Sequence, residues 1–297
     1  FSLSTSTPLS ISSPKLDPPP PSELLNLSFY AVSVSFLAVA NVLAALRTPT
    51  PEPKFTRPSR ATVAAGIELG SWLFFGSTLQ LMGLKHTTGS QASVIVQLTT
   101  VLVPLAESFV LRSPVGARTW RGIVVAFAGI LLLTFDQASE SRRLFGPGEM
   151  LSGDLLVLAA AAAYTLHVVR LGGYAKRTAP LALASAKQTA QLVYALSFVA
   201  ATLLLDRGGS TLSQYKGFLA SLETGGGALQ TLAAVALWNG VASSAFTSFA
   251  QSYGQRRIPP STASLLFTTQ PLWSTFFCTL FLDEHVGVKG SFGIALV

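Results

Sequence analysis

The chain has 297 residues, of which 49% are hydrophobic and 11% charged, and its mean hydropathy is +0.51. A soluble domain carries about 25% charged residues, so this composition excludes an ordinary soluble fold. The net charge of +7 does not indicate nucleic-acid binding, because the Lys and Arg residues fall in short loops between apolar runs and form no basic face. The single Cys278 excludes an intrachain disulfide and a cysteine-rich metal site.

Apolar runs close to the ~20 residues that cross a bilayer recur along nearly the whole chain. Helices are expected in these runs, because open sheet edges stay unsatisfied in hydrocarbon. The sequence therefore predicts an all-α polytopic membrane protein. Nine spans are predicted, at 24–46, 61–84, 90–111, 119–135, 153–169, 181–205, 228–253, 261–282 and from 286 onward.

The two ends of the chain carry further expectations. Segment 1–22 is rich in Ser, Thr and Pro and is predicted to lie outside the membrane. It is either a transit-like peptide or a loop that follows a missing first span. Because Val297 falls inside an apolar run, the last span is expected to be truncated.

An internal repeat supports a parent protein of ten spans. Shifting the chain by 171 residues aligns 67–126 with 238–297 without a gap, and twelve of the sixty positions are identical. Five spans per repeat insert the second copy upside down, as in many secondary transporters. The predicted fold is an inverted five-plus-five helix repeat, with a first repeat at 23–137, an inter-repeat loop at 138–152 and a second repeat at 153–297.

Loop charges predict the orientation, since Lys and Arg concentrate on the cytosolic side. Assigned to alternate sides, the loops carry twelve basic residues on one side and seven on the other. The side with twelve, which includes Arg118 and Arg256, is predicted to face the cytosol, or the stroma of a plastid. The identity of the membrane is left open: it is either the plastid envelope or the plasma membrane.

Three segments of the chain carry a shared pattern of small, polar and apolar residues: GIELGSWLFFGSTLQLMGLKHTTGSQASVIVQLTTVLVPLAE, TWRGIVVAFAGILLL and QSYGQRRIPPSTASLLFTTQPLWSTFFCTLFLDEHVGVKGSFGIAL. Together they resemble the EamA-domain family of the drug/metabolite transporter superfamily. A further stretch, GDLLVLAAAAAYTLHVVR, resembles plant and algal plastid-type members. The resemblance implies ten spans in two inverted halves, cytosolic termini, and export or exchange of small metabolites. It implies no particular substrate.

Polar side chains inside the predicted spans are the candidates for a substrate-binding site. Gln97 and Gln270 are long donors and acceptors that suit a cavity wall. The pair Trp238 and Asn239 is a further candidate lining. The alternatives are helix packing for the amides and a place in the interfacial aromatic belt for the indole.

Lys187 is the only Lys that falls inside a predicted span, and at helical spacing it shares a face with Gln191 and Tyr194. A cation near the centre of a bilayer costs about 2.5 to 3.5 kcal/mol on insertion scales. The functional hypothesis is that this face turns inward and that Lys187 is the countercharge for an anionic solute. The alternative is that its long stem reaches the headgroups.

The sequence contains no HExxH motif, no phosphate-binding GxxxxGK[ST] motif and no Cys/His cluster. We therefore predict no catalytic residue, no metal and no cofactor, and transport driven by a gradient or by exchange. The expected partners are a small-molecule substrate of unknown identity and the lipid bilayer, with no nucleic acid and with a homodimer left open.

Two other functions stay open. One is a membrane-embedded enzyme that uses His167 with Asp154 or Glu107, and the other is a transport-inactive scaffold or sensor. Glu107 also lies about a turn before Arg112, and one interpretation is an ion pair between them.

Overall fold

The computed structural model describes residues 21–47, 59–87, 89–110, 112, 115–137, 147–206, 208–224, 227–270, 272–273, 276–277 and 280. Every regular element in these ranges is helical, which confirms the predicted all-α class. In chain order the elements are α1 (Ser22–Arg47), α2 (Arg60–Gly83), α3 (Gly89–Gln97), α4 (Thr99–Val110), α5 (Ala117–Gln137), α6 (Pro147–Ala175), α7 (Pro180–Leu205), α8 (Ser210–Thr224), α9 (Ala228–Trp238), a π-helical segment (Asn239–Phe246), α10 (Thr247–Gln255) and α11 (Pro260–Phe267).

Five helical stretches within the described residues are long and apolar enough to cross a membrane. They are Ser22–Arg47, Gln91–Val110, Leu151–Ala175, Pro180–Leu205 and Ala228–Gln255. The chain is therefore a multi-pass membrane protein. The predicted ninth span and most of segment 1–22 lie outside the described residues.

The predicted spans and the observed helices agree most closely at α1, α2 and α7. The predicted sixth span at 181–205, for example, is the helix Pro180–Leu205, whose first position is a proline that needs no hydrogen bond to its missing N–H. The fifth predicted span, 153–169, differs more from the observed helix, because α6 already begins at Pro147, inside the predicted loop at 138–152.

Two predicted spans are interrupted at equivalent places in the repeat. α3 ends at Gln97, and the next amide, that of Leu98, donates to Ile95 O at 3.1 Å, an i to i−3 bond. In the second repeat, α11 ends and the Thr269 amide donates to Leu266 O at 3.2 Å. Leu98 and Thr269 are separated by the 171-residue offset of the repeat. Each tightened turn removes one residue from the regular ladder and re-aims the helix that follows.

The sequence did not predict α8, because its 15 residues are too short to span a bilayer. The helix lies between two spanning helices and begins at a carboxylate cap. Asp206 accepts hydrogen bonds from the backbone amides of Thr211 and Gly208. The hydrogen bond from the Thr211 amide is the main reason why the pKa of Asp206 lies below its usual range. The buried Tyr215 and Phe218 form the inner face of the helix.

The helices divide into two compact units, and the first comprises residues 1–71 and 178–253. In this unit α1 packs against α7 and the π-helical segment around the buried Leu37, Ala184 and Ala245. The approach of α1 is close because Gly240 has no side chain, and a Cβ there would lie 2.6 Å from the Cβ of Val32. A polar contact also joins these helices, since Asn41 Nδ2 donates to Ser185 Oγ at 2.8 Å.

The second unit comprises residues 72–177 and 254–297. Its core, where α4, α6 and α11 meet, contains Val103, Val168 and Val169 with Phe267 packed against them. Glycines again permit close approach, because a Cβ at Gly153 of α6 would lie 2.9 Å from Gly83 O at the end of α2. Both units are thus assembled through small residues, as is usual where lipid gives no hydrophobic drive between helices.

We expect the substitution Gly66→Ala to destabilise the protein. A Cβ at Gly66 would lie 2.7 Å from the carbonyl carbon and 2.8 Å from the carbonyl oxygen of Ala186 in α7, so backbone must move. Overpacking of this kind costs about 1 to 3 kcal/mol, and thermal unfolding of the detergent-purified protein measures it.

Gly173→Ala is the matched control for this substitution. Gly173 is also helical, but a Cβ there has no atom within 4 Å, so the change should leave the unfolding temperature unchanged or raise it through helix propensity. Equal unfolding temperatures for the two variants would contradict the packing argument.

Candidate functional site

A polar face of α7 lies buried inside the first unit. The exposed fractions of its side chains are 0% for Lys187, 3% for Gln188 and 5% for Gln191. These residues are buried because a glycine of α2 lets this helix pack closely against α7. A Cβ at Gly70 would lie 2.6 Å from the Cβ of Ala190 and 2.9 Å from Lys187 O.

Lys187 has the largest side chain among the fully buried residues of the described structure. Its Nζ atom has no hydrogen-bond partner among the described residues. An isolated ammonium group away from water is costly unless it is paired. Lys187 is thus buried within the first unit, and its role as a countercharge for an anionic solute stays a prediction.

Gln188 connects the polar face to the helices that carry the π-helical segment. Its Nε2 donates to Ser248 Oγ and, at 3.3 Å, to Ser244 O, while its Oε1 has no partner among the described residues. π-Helical turns cost stability and are frequent at functional sites. The amide of Gln188 thus ties the irregular backbone to the helix of Lys187.

Gln191 and Tyr194 extend the face of Lys187 by one and two further turns. Gln191 Oε1 is buried and lacks a hydrogen-bond partner among the described residues. Tyr194 is half-buried, and its hydroxyl donates to Ile67 O of α2 at 3.4 Å. The three residues predicted to share a face therefore lie on α7 in the first unit, as expected from their spacing.

The other predicted lining residues have different surroundings. Trp238 and Asn239 also belong to the first unit, where Trp238 is 70% exposed and Asn239 Nδ2 donates to Val235 O of its own helix at 3.0 Å. Gln97 and Gln270 belong to the second unit; Gln97 is half-buried and Gln270 is exposed. Their roles as lining residues stay predictions.

The second unit contains two carboxylates at the starts of equivalent helices. Asp154 of α6 accepts from Thr87 Oγ1 at 2.7 Å and from Gln91 Nε2, at the start of α3. Glu107 of α4 is 3% exposed and accepts from the backbone amide of Ser261, in the first turn of α11, at 2.7 Å. The interpretation that Glu107 pairs with Arg112 is wrong within the described residues, because Arg112 is exposed and has no ion pair there.

Sequence reasoning missed the glycines that bring α2 and α7 together. Gly66 and Gly70 form a Gly-x-x-x-Gly pattern, and they face Ala186 and Ala190 at the same spacing on α7. This small-residue pattern is a known signal for close approach of membrane helices. It would have predicted from the sequence that α2 packs closely against another helix, although not which one.

These features together define a polytopic helical membrane protein with a repeated, interrupted helix in each half and a buried polar face. The EamA-like transporter family matches residues 8–135 and 151–297 of the chain. The chain belongs to this family. The two matched regions follow each other along the sequence, in agreement with a fold of two repeats.

Two curated transporters share local similarity with the chain. An uncharacterised transporter of Archaeoglobus fulgidus is 27% identical over 119 residues, which are 40% of this chain and 35% of that protein. The uncharacterised transporter YetK of Bacillus subtilis is 27% identical over 88 residues, or 30% of this chain and 26% of that protein. The matched regions thus span about a third or less of these relatives.

The crystal structure of another protein has a similar fold. The TM-score is 0.69 at 15% sequence identity, and the match covers 95% of this chain and 88% of the other. At this identity the similarity concerns the fold alone.

We expect Gln188→Leu to reduce the stability of the first unit. The substitution removes the donor that Ser248 Oγ and Ser244 O share, and a lost hydrogen bond with a buried group left unpaired costs about 1 to 3 kcal/mol. Thermal unfolding in detergent is the measurement. Thr189→Leu, at the exposed neighbouring position of α7, is the control and should have little effect; a similar loss in both variants would contradict the role of the amide.

Proposed function

We propose that the protein is a secondary transporter that moves a small anionic metabolite across its membrane by alternating access of its two repeats. Membership of the EamA-like transporter family and the two transporter relatives support transport as the general activity. The proposed substrate site is the polar face of Lys187, Gln191 and Tyr194. The proposed membrane is the plastid envelope or the plasma membrane.

The observation that carries the substrate class is the buried ammonium group of Lys187, which has no hydrogen-bond partner among the described residues. An ionisable residue of this kind inside a membrane helix is a functional-site candidate by default. A carboxylate or phosphate group on the solute would supply the missing countercharge and accept hydrogen bonds from Nζ.

The neighbouring amides would then orient the solute. Gln191 Oε1 and Gln188 Oε1 are buried acceptors without donors among the described residues, so a solute with hydroxyl or amino groups would satisfy them. The face thus combines one cationic group with two acceptors. It suits a small, polar anion better than an apolar one.

Two structural facts disfavour the alternative of an enzyme that uses His167 with Asp154. Both residues lie on α6, thirteen positions apart, which corresponds to about 20 Å along a helix. The carboxylate of Asp154 is already occupied by Thr87 and Gln91. An enzyme that uses His167 with Glu107 and a scaffold or sensor without transport stay as the remaining alternatives.

We expect purified protein in liposomes to accumulate anionic compounds from a broad metabolite mixture, without chemical change, in a mass-spectrometric uptake assay. Labelled glutamate and glutamine form a matched pair of probes that differ in charge and little in shape. Chemical conversion would instead indicate an enzyme, and neither uptake nor conversion would indicate a scaffold.

Lys187→Gln should lower kcat/KM for the transported anion by tenfold or more. A hydrogen bond to a charged group contributes about 1.5 to 3 kcal/mol, and about 1.4 kcal/mol is tenfold. Lys176→Gln changes the exposed turn after α6 and should leave uptake unchanged. Normal uptake by a folded Lys187→Gln variant would remove Lys187 from the site.

A further inference from the structure

Glu107 is a buried carboxylate that the proposed substrate site does not use. It lies in α4, and its described hydrogen bond comes from the Ser261 amide at the start of α11. The start of α11 has no side-chain cap of its own, so the carboxylate provides it from another helix. The contact also joins the two matched repeats, since Glu107 lies in 8–135 and Ser261 in 151–297.

Asp154 makes an instructive comparison within the same unit. Both of its carboxylate oxygens receive a donor, Oδ1 from Thr87 and Oδ2 from Gln91. In Glu107 only Oε2 receives a hydrogen bond from the described residues, and no described basic side chain pairs with it. Glu107 therefore has one carboxylate oxygen that is open to a proton, whereas Asp154 is fully occupied.

A buried acceptor lies next to the same helix start. Gln255 is 1% exposed, and neither its Oε1 nor its Nε2 has a hydrogen-bond partner among the described residues. Gln255 Oε1 and the start of α11 both lie beside Gly172 of α6. A Cβ at Gly172 would lie 3.9 Å from Gln255 Oε1 and 2.6 Å from the ring of Pro260, the first residue of α11. A protonated carboxyl group needs an acceptor for its O–H, and Gln255 Oε1 is an unused one.

We propose that Glu107 is a proton-binding site of the transport cycle. A proton from water adds to the open oxygen of the carboxylate, which becomes a neutral acid. The neutral acid is a weaker acceptor for the Ser261 amide, because hydrogen bonds to ionised groups are about twice as strong. Protonation thus loosens the hold of α4 on the start of α11, and release of the proton to water restores it.

The position of Glu107 suits a gate at one end of the unit. The Asp154 contact and the approach of Gly172 to Pro260 are eighteen residues apart on α6, or about 27 Å along the helix. The starts of α3 and α11 are therefore held at opposite ends of this helix. Only the α11 end is held by a carboxylate with an open oxygen.

Other ionisable groups occur on the helices that pack against α4. The described side chains are Asp154, Tyr164, His167, Arg170 and Tyr174 on α6 and Arg118 and Arg121 on α5, while α3 and α11 have none. Arg170 is engaged with Tyr174, its Nη2 donating to the hydroxyl at 3.0 Å. Since only carboxyl groups give a protonated C=O stretch, infrared spectroscopy separates Glu107 from the His and Arg groups.

The test is pH-difference infrared spectroscopy of the full chain in liposomes, with no substrate present. We expect a carboxylic-acid band that appears on acidification, is lost in Glu107→Gln and persists in Asp154→Asn. Glu107→Asp keeps a carboxyl group and should keep the band at a shifted frequency, so the assignment holds even where Glu107→Gln does not fold. Absence of the band in the unaltered protein, or its survival in Glu107→Gln, would overturn the proposal.

A second measurement concerns what the proton drives, and it rests on the proposed transport function. An imposed pH gradient should stimulate glutamate uptake by the unaltered protein, and Glu107→Gln should lose this stimulation while exchange of internal and external glutamate continues. Failure of all uptake would refute transport of this probe and leave the infrared result standing. Stimulation that persists in Glu107→Gln would refute the coupling.

Discussion

Hydrocarbon offers no hydrogen-bond partner, so each polar group inside a spanning helix must be satisfied by the protein itself. The described helices meet this constraint largely within one helix, where Ser and Thr hydroxyls donate to carbonyls three or four residues earlier, as at Thr165 and Ser252. Other polar side chains pair across helices, as where Tyr164 donates to Gln80 at 2.8 Å and Asn41 to Ser185. The exceptions are informative because they are costly. Lys187 and Gln255 are among the buried side chains that lack such partners within the described residues, and both lie at the sites for which we propose a function.

Small residues make the polar contacts between helices possible. A side chain as short as that of Ser or Asn bridges two helices only when their backbones lie close together. Gly70 and Gly240 remove the side chains that would hold α2 and α1 away from their neighbours. Since dispersion contacts replace the hydrophobic effect in lipid, the same close approach also supplies much of the packing energy. The glycines and the polar face are therefore two parts of one arrangement.

Apolar runs and their lengths predicted the helical class and the bounds of α7 well, because both follow from local sequence. The short helix α8 and the interruption near Leu98 were not predicted. Spans were predicted from the length of apolar runs, and α8 is too short for a span while the interruption falls inside one apolar run. Lys187 stood out in the sequence as a lone cation in an apolar run. The partner of Glu107 did not, because Ser261 lies 154 positions away and only the tertiary fold brings them together.

An internal ion pair would have offset part of the cost of burying both groups, yet Lys187 and Glu107 lie in different units and have no ion pair among the described residues. Neither has a charged hydrogen-bond partner among the described residues, so each can exchange an external partner. Binding at two separate sites is coupled when both ligands favour the same conformation, and the coupling is reciprocal. An anion at Lys187 that favoured the state with a loosened α11 start would raise the affinity of Glu107 for a proton by the same factor by which the proton raises the affinity for the anion.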